Sequence, residues 1–154
     1  MPNISKTDDK VQLATANVKL TARRPDGTVF DVREVHNLVV NAGLEWVKAQ
    51  IHDAADGTDV MEYTAVGDDN TAPAVGQTAL ISQLSTRTQG TYASGATGVC
   101  TITGLHTATG SWAVVEAGLF DASTSGTMLA RVIFSTINLS TSDELTVEWT
   151  ITYS

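Results

Sequence analysis

Glu116 sits among apolar neighbours in WAVVEAGLF, and Arg131 sits among apolar neighbours in MLARVIF. A carboxylate or guanidinium in such a setting stays ionised only when it is paired or hydrogen-bonded. The turn-forming run DASTSG lies between the two segments, so a hairpin would bring Glu116 and Arg131 into adjacent strands. The chemistry this predicts is a cross-strand salt bridge that fixes register. General acid–base catalysis would need a second carboxylate, and none is evident there.

The remaining candidates are less specific. Asp68, Asp69 and Asn70 give residues 67–76 the densest charge in the chain. A calcium site needs six to eight oxygen ligands, and three adjacent side chains with no downstream glutamate at loop spacing supply too few. Asp and Asn also tolerate turn dihedrals and bond their own backbone, which is the expected role here. The single cysteine, Cys100, reads as a small buried hydrophobe, because a catalytic thiol needs a positioned base. His36, His52 and His106 fall on a hairpin, a helix and a loop, and their spacing is no metal signature. The aromatics Trp46, Tyr92 and Trp112, which a glycan site would want beside carboxylates, are not grouped. No catalytic, cofactor-binding or metal-binding residue is therefore predicted, and the chain is not expected to be an enzyme.

The elements that must carry these residues are mostly strands. Leu145, Val147, Trp149, Ile151 and Tyr153 alternate with Thr146, Glu148, Thr150 and Thr152, the two-residue period of a half-buried strand. Met128, Ala130, Val132 and Phe134 alternate with Leu129, Arg131 and Ile133, so this strand is apolar on both faces and belongs inside a sheet. Before it, Val115, Ala117 and Leu119 alternate with Val114, Glu116, Gly118 and Phe120, and the in-strand Gly118 signals a bulge or a close backbone approach. Val18, Leu20 and Ala22, the turn Pro25-Asp26-Gly27-Thr28 and the run 29–35 predict a β-hairpin. One helix follows, with Asn41 as N-cap and a stripe of Leu44, Val47, Ile51 and Ala54. Trp46 lies off that stripe, covering the core edge or facing a partner. Residues 56–59 end it, and 63–67 form a short strand. Residues 78–84 are expected to make one or two helical turns with Leu80, Ile81 and Leu84 inward, and 85–93 a polar edge strand. Residues 99–105 form a strand with Cys100 and Ile102 inward.

Together these predict a mainly β fold: an antiparallel β-sandwich or barrel-like domain of about eight strands with one amphipathic helix at an end or edge. With 154 residues, 42% of them hydrophobic, the chain suits one domain over residues 11–154, preceded by a polar arm at residues 1–10. Nine Lys and Arg among seventeen acids, for a net charge of -8, leave no basic stripe for nucleic acid or an anionic membrane. No apolar run reaches membrane-spanning length, and the first ten residues lack the apolar core of a secretory signal, so the chain is expected to be soluble where it is made. One cysteine makes no internal disulfide.

The succession EAGLFDASTSGTMLARVIFSTINLSTSDELTVEWTITY, residues 116–153, resembles the carboxy-terminal part of small tailed-bacteriophage virion proteins, where E-x-GLF, G-T-x-LAR and T-V-x-W-T strands recur. HNLVVNAGLEWV, residues 36–47, and YTAVGDDNTAPAVGQTAL, residues 63–80, resemble the same group. Related strands also occur in tail-fibre and baseplate proteins. The chain has no repeat, heptad or collagen-like triplet of a fibre shaft, which favours a capsid decoration, or cement, protein. The resemblance implies a non-enzymatic protein that is made in the host cytoplasm and binds the outer surface of the head. It would bridge major capsid subunits, often as a trimer. The alternative it leaves is a tail, fibre or baseplate module binding another virion component or a host glycan. Candidate contact regions are residues 1–10, 68–76 and 94–111, with Trp46, Asp68, Asp69 and Asn70 as possible interface residues.

Overall fold

The alternation in the last strand, β10 (Glu144–Tyr153), sets one wall of the core. Leu145, Val147, Trp149 and Ile151 are buried, while the threonines and Glu148 between them remain partly exposed. Such a strand must be flanked on both edges to satisfy its backbone groups. It pairs antiparallel with β1 (Leu13–Arg23) on one side and β7 (Val99–Thr107) on the other. The edges of this first sheet are β2 (Val29–His36), joined to β1, and β6 (Thr91–Ser94), joined to β7. The β1–β2 turn is the predicted one: Gly27 adopts φ 89° and donates its N–H to the Arg24 carbonyl, and Asp26 accepts from the Thr28 N–H.

A second five-stranded antiparallel sheet is ordered β3 (Leu38–Val39), β9 (Met128–Leu139), β8 (Trp112–Phe120), β4 (Tyr63–Gly67) and β5 (Thr88–Gln89). The computed structural model describes residues 13–52 and 60–153, so the arm read over residues 1–10 and the helix end read at 56–59 lie outside the described residues. Among the described residues the two sheets share no strand pairing, which makes the fold a sandwich rather than a closed barrel. Val18, Leu20, Ala22, Ile102, Val147 and Trp149 of the first sheet pack against Val66, Val114, Ala117, Leu119, Val132 and Ile137 of the second.

The second sheet is buried on its other face too. There Ala65, Phe120 and Met128 form a smaller core with Val40 and Leu80, beneath the segment that follows β4. This explains the unbroken burial of β8 from Val114 to Phe120 and of the start of β9. The alternation of β8 departs from the expected one: Trp112 and Val114 face the inter-sheet core with Ala117 and Leu119. The pairing with β9 shifts between Val114 and Glu116, and that irregularity reverses the phase. The polar strand read at 85–93 is split between the sheets, β5 and β6 each lying at an edge, with Gly90 at the crossing close to Ile102.

Three local expectations are corrected. The helix α1 (Asn41–His52) accepts its first hydrogen bond at the Val40 carbonyl, from the Leu44 N–H, so the cap precedes Asn41. Its packing face also differs in part from the predicted stripe. Of that stripe Val47 packs on the core and Leu44 is half exposed, the Ile51 side chain and Ala54 lying outside the described residues; Trp46 packs on the core as well, and buried Gly43 lies against the Leu129 backbone where a side chain would clash. Residues 78–84 form no helix; Leu80 and Leu84 turn inward, but Ile81 is exposed. The segment instead runs beside β4, with Asp68 donating to the Ser82 carbonyl and Leu84 to the Val66 carbonyl.

Candidate functional site

Glu116 and Arg131 do meet, and both are fully buried. Glu116 stands opposite Ile133 and Arg131 opposite Gly118, so they reach one another along the diagonal left free by the glycine. The Arg131 Nε donates to Glu116 Oε2 at 2.7 Å. A pair with no access to water must satisfy its remaining donors and lone pairs from protein. It does so on the segment after β4. Arg131 Nη1 donates to the Thr71 carbonyl at 2.8 Å and to Gln77 Oε1 at 3.2 Å, and Nη2 donates to the Asp69 carbonyl at 3.4 Å. Glu116 accepts the Ser82 N–H at 2.9 Å and the Ile81 N–H at 3.3 Å. The salt bridge thus holds both ends of a loop, residues 68–82, against the outer face of the second sheet.

That loop is the candidate binding element. Asp68 and Asn70 are exposed at its crest and Asp69 is partly so. Asp69 Oδ1 accepts the Thr71 N–H at 2.8 Å, the local turn bond expected of this residue type. Hydrogen bonds from Thr71, aided by the nearby Arg131 charge, hold the Asp69 carboxyl below its ordinary range. Gln77 braces the crest by accepting from the Ala74 N–H and donating to the Ala72 carbonyl. Gly67 is part of the same device, since a Cβ there would overlap the Glu116 carboxylate and the Ser82 carbonyl. At Gly118 the expected close approach comes from the Phe120 ring and the Leu80 side chain rather than from backbone.

The other sequence candidates are not brought together. Cys100 and His106 face the same way on β7 but are six residues apart, about 20 Å along a strand. Burial pushes the Cys100 thiol up, away from the reactive thiolate. His36 lies exposed on the edge strand β2. His106 instead joins the two sheets from within: its Nε2 lies 2.8 Å from the Thr64 hydroxyl of β4 and its Nδ1 3.4 Å from that of Thr88 in β5. Burial lowers its pKa from 6.5 to about 4. Trp46 lines an apolar cavity with Ile102, Leu129 and Ile151, while Trp112 is buried. Tyr92 is exposed on β6. Among the described residues no three of His, Cys, Asp and Glu gather as a metal site, and no described helix is long and apolar enough to cross a membrane.

The anchoring of residues 68–82 was missed by sequence reasoning because its partners are backbone groups, which leave no residue-type signal. So was the role of Asp143, which is buried, caps the Ser140 N–H and takes the Arg24 guanidinium at 2.6 Å. Compared with protein-family models, curated proteins and solved structures, the chain matches none.

Proposed function

We propose that this chain is a non-enzymatic capsid decoration protein of a tailed bacteriophage, binding the outside of the head as a trimer and bridging major capsid subunits. The observation that carries the reading is the clamped acidic loop. Its buried polar groups fix backbone, and exposed side chains such as Asp68 and Asn70 are left free, which supports a preformed contact surface. Holding residues 68–82 in place before binding removes the ordering cost that a mobile loop would add to association. Asp68 and Asn70 would then meet a basic or hydrogen-bonding patch on the shell, and modest contacts would sum over many copies. The resemblance of residues 36–47, 63–80 and 116–153 to phage virion proteins supplies the class of partner.

The deciding measurement is the copy number of this chain relative to the major capsid protein in purified virions, by quantitative mass spectrometry. A ratio near that of the shell subunit is expected. A handful of copies per particle would refute decoration and transfer the protein to the tail or baseplate. Asp68→Lys is expected to weaken retention on particles while leaving the melting temperature unchanged, because the side chain is exposed.

A further inference from the structure

The clamp on residues 68–82 also decides which side chains the loop shows. Helical spacing would turn Leu80, Ile81 and Leu84 inward together. The bonds from the Ile81 and Ser82 N–H groups to Glu116 hold the stretch out of a helix, so Leu80 is buried beneath the loop and Ile81 is left 48% exposed. Asp68 lies beside it, donating its N–H to the Ser82 carbonyl at 3.0 Å. Val75, earlier in the loop, is 50% exposed; its carbonyl is held by the Asn41 N–H at 2.8 Å, and the preceding Ala74 is tied to Gln77. From Asn70 to Thr86 the chain has no charged residue, and Ala72, Ala74 and Ala79 are exposed. The loop thus presents fixed aliphatic side chains on an uncharged stretch with Asp68 and Asp69 at its border, the distribution of an interface core and its polar rim. Because the buried pair already sets the backbone, covering these side chains adds little ordering cost.

Charge selects the occupant. A surface edged by carboxylates is best met by one edged by cations. Among the described side chains a second copy has no arginine to offer: Arg23 is bonded to Thr146, Arg24 to Asp143, Arg33 to Asp31, Arg87 to the Ala122 and Ser125 carbonyls, and Arg131 to Glu116. Lys19 stands between Glu34 and Glu148 in the strand register of the other sheet. We propose that Ile81 and Val75 anchor this loop in an apolar depression edged by Lys or Arg on a protein other than this chain, with Asp68 steering the approach. The proposal rests on the decoration reading, in which that partner is the major capsid protein.

The test uses the full chain and immobilised heads assembled without it, with binding followed by interferometry. Ile81→Ser should weaken binding about tenfold, through faster dissociation, at both low and high salt. Asp68→Asn should slow association at low salt only. Val75→Ser gives a second truncation, and because all three side chains are exposed the variants should melt like the parent. Dissociation unchanged in both Ile81→Ser and Val75→Ser overturns the aliphatic anchors and leaves the decoration reading standing. Parent binding lost altogether at high salt overturns them too, since the contact would then be electrostatic. Loss of self-association in Ile81→Ser, read by sedimentation of the free chain, would assign the face to a second copy and refute a different partner. Failure of the parent itself to bind heads refutes the decoration reading, and the proposal with it.

Discussion

Removing the cation from the buried pair, by Arg131→Met, leaves Glu116 fully buried with only the Ile81 and Ser82 N–H groups as partners. Breaking a buried ion pair from one side costs about 3–5 kcal/mol, because the remaining charge stays desolvated. For a chain of this length each kcal/mol moves the melting temperature by roughly 2–4 °C, so a fall of roughly 6–20 °C is expected. Glu116→Gln keeps an acceptor for Ser82 but leaves the Arg131 guanidinium with the Thr71 and Asp69 carbonyls and Gln77, a cost of about 2–4 kcal/mol. The double variant removes both charges together, retains the Ser82 bond, and leaves the Asp69 and Thr71 carbonyls and Gln77 Oε1 without the Arg131 donor. Its cost is expected to be at least about 2 kcal/mol smaller than the sum of the single changes.

Urea melts of the four proteins at neutral pH measure this coupling, and repeating them at high salt adds a control. A pair without solvent access should couple equally at low and high ionic strength. The solvent-exposed Asp31–Arg33 pair should be screened. Hydrogen exchange supplies the local readout, because Ser82 and Ile81 amides should lose protection in Glu116→Ala more than amides of β1 do. Additivity of the single changes within about 0.5 kcal/mol would refute the claim that the two charges stabilise each other.

Three further outcomes rest on the same packing. His106 takes up a proton near pH 6.5 when unfolded but only at about 4 when folded, so stability falls as pH drops from 6.5 to 4 and this loss levels off below that; His106→Gln should reduce the drop by about 3 kcal/mol in melts across that range. Gly67→Ala should cost about 2 kcal/mol or more and deprotect the Ser82 amide, because the added methyl displaces the Glu116 carboxylate. Ser142 holds φ 71° in the β9–β10 turn, so Ser142→Gly should relieve backbone strain and raise stability by about 0.5 kcal/mol, read as a small rise in melting temperature.

What could be read along the chain is what local pattern controls. The alternation of β10, the Pro-Asp-Gly turn between β1 and β2, and the diagonal meeting of Glu116 with Arg131 are set by residues close in sequence or joined by one hairpin. The errors lie where a distant group decides. Residues 78–84 carry helical spacing, yet the Ile81 and Ser82 N–H groups that a helix would use are taken by a carboxylate more than thirty positions away. On α1 the stripe is right at Val47 and wrong at Leu44, where the close approach of Gly43 to Leu129, invisible to periodicity, sets which side of the helix start faces the sheet. His106, read as a loop residue, lies in β7. Its hydroxyl partners, Thr64 and Thr88, belong to the other sheet, and neither is near it in sequence.

The burial of a charge pair in the second sheet also has a geometric reason. An apolar pair of similar volume could seal that face at comparable or lower free-energy cost. It would hold residues 68–82 by contact alone, however, and apolar contact is non-directional. Arg131 fixes the carbonyls of Asp69 and Thr71, and Glu116 fixes the N–H groups of Ile81 and Ser82, so four backbone positions at the two ends of one loop are set by two side chains. Both side chains are in turn held by the β8–β9 pairing. The crest at Asp68 and Asn70 is therefore referenced to the sheet rather than to its own turn. If the proposed decoration role holds, the loop would meet a repeating lattice in one fixed position, since an offset in it would be repeated at every copy.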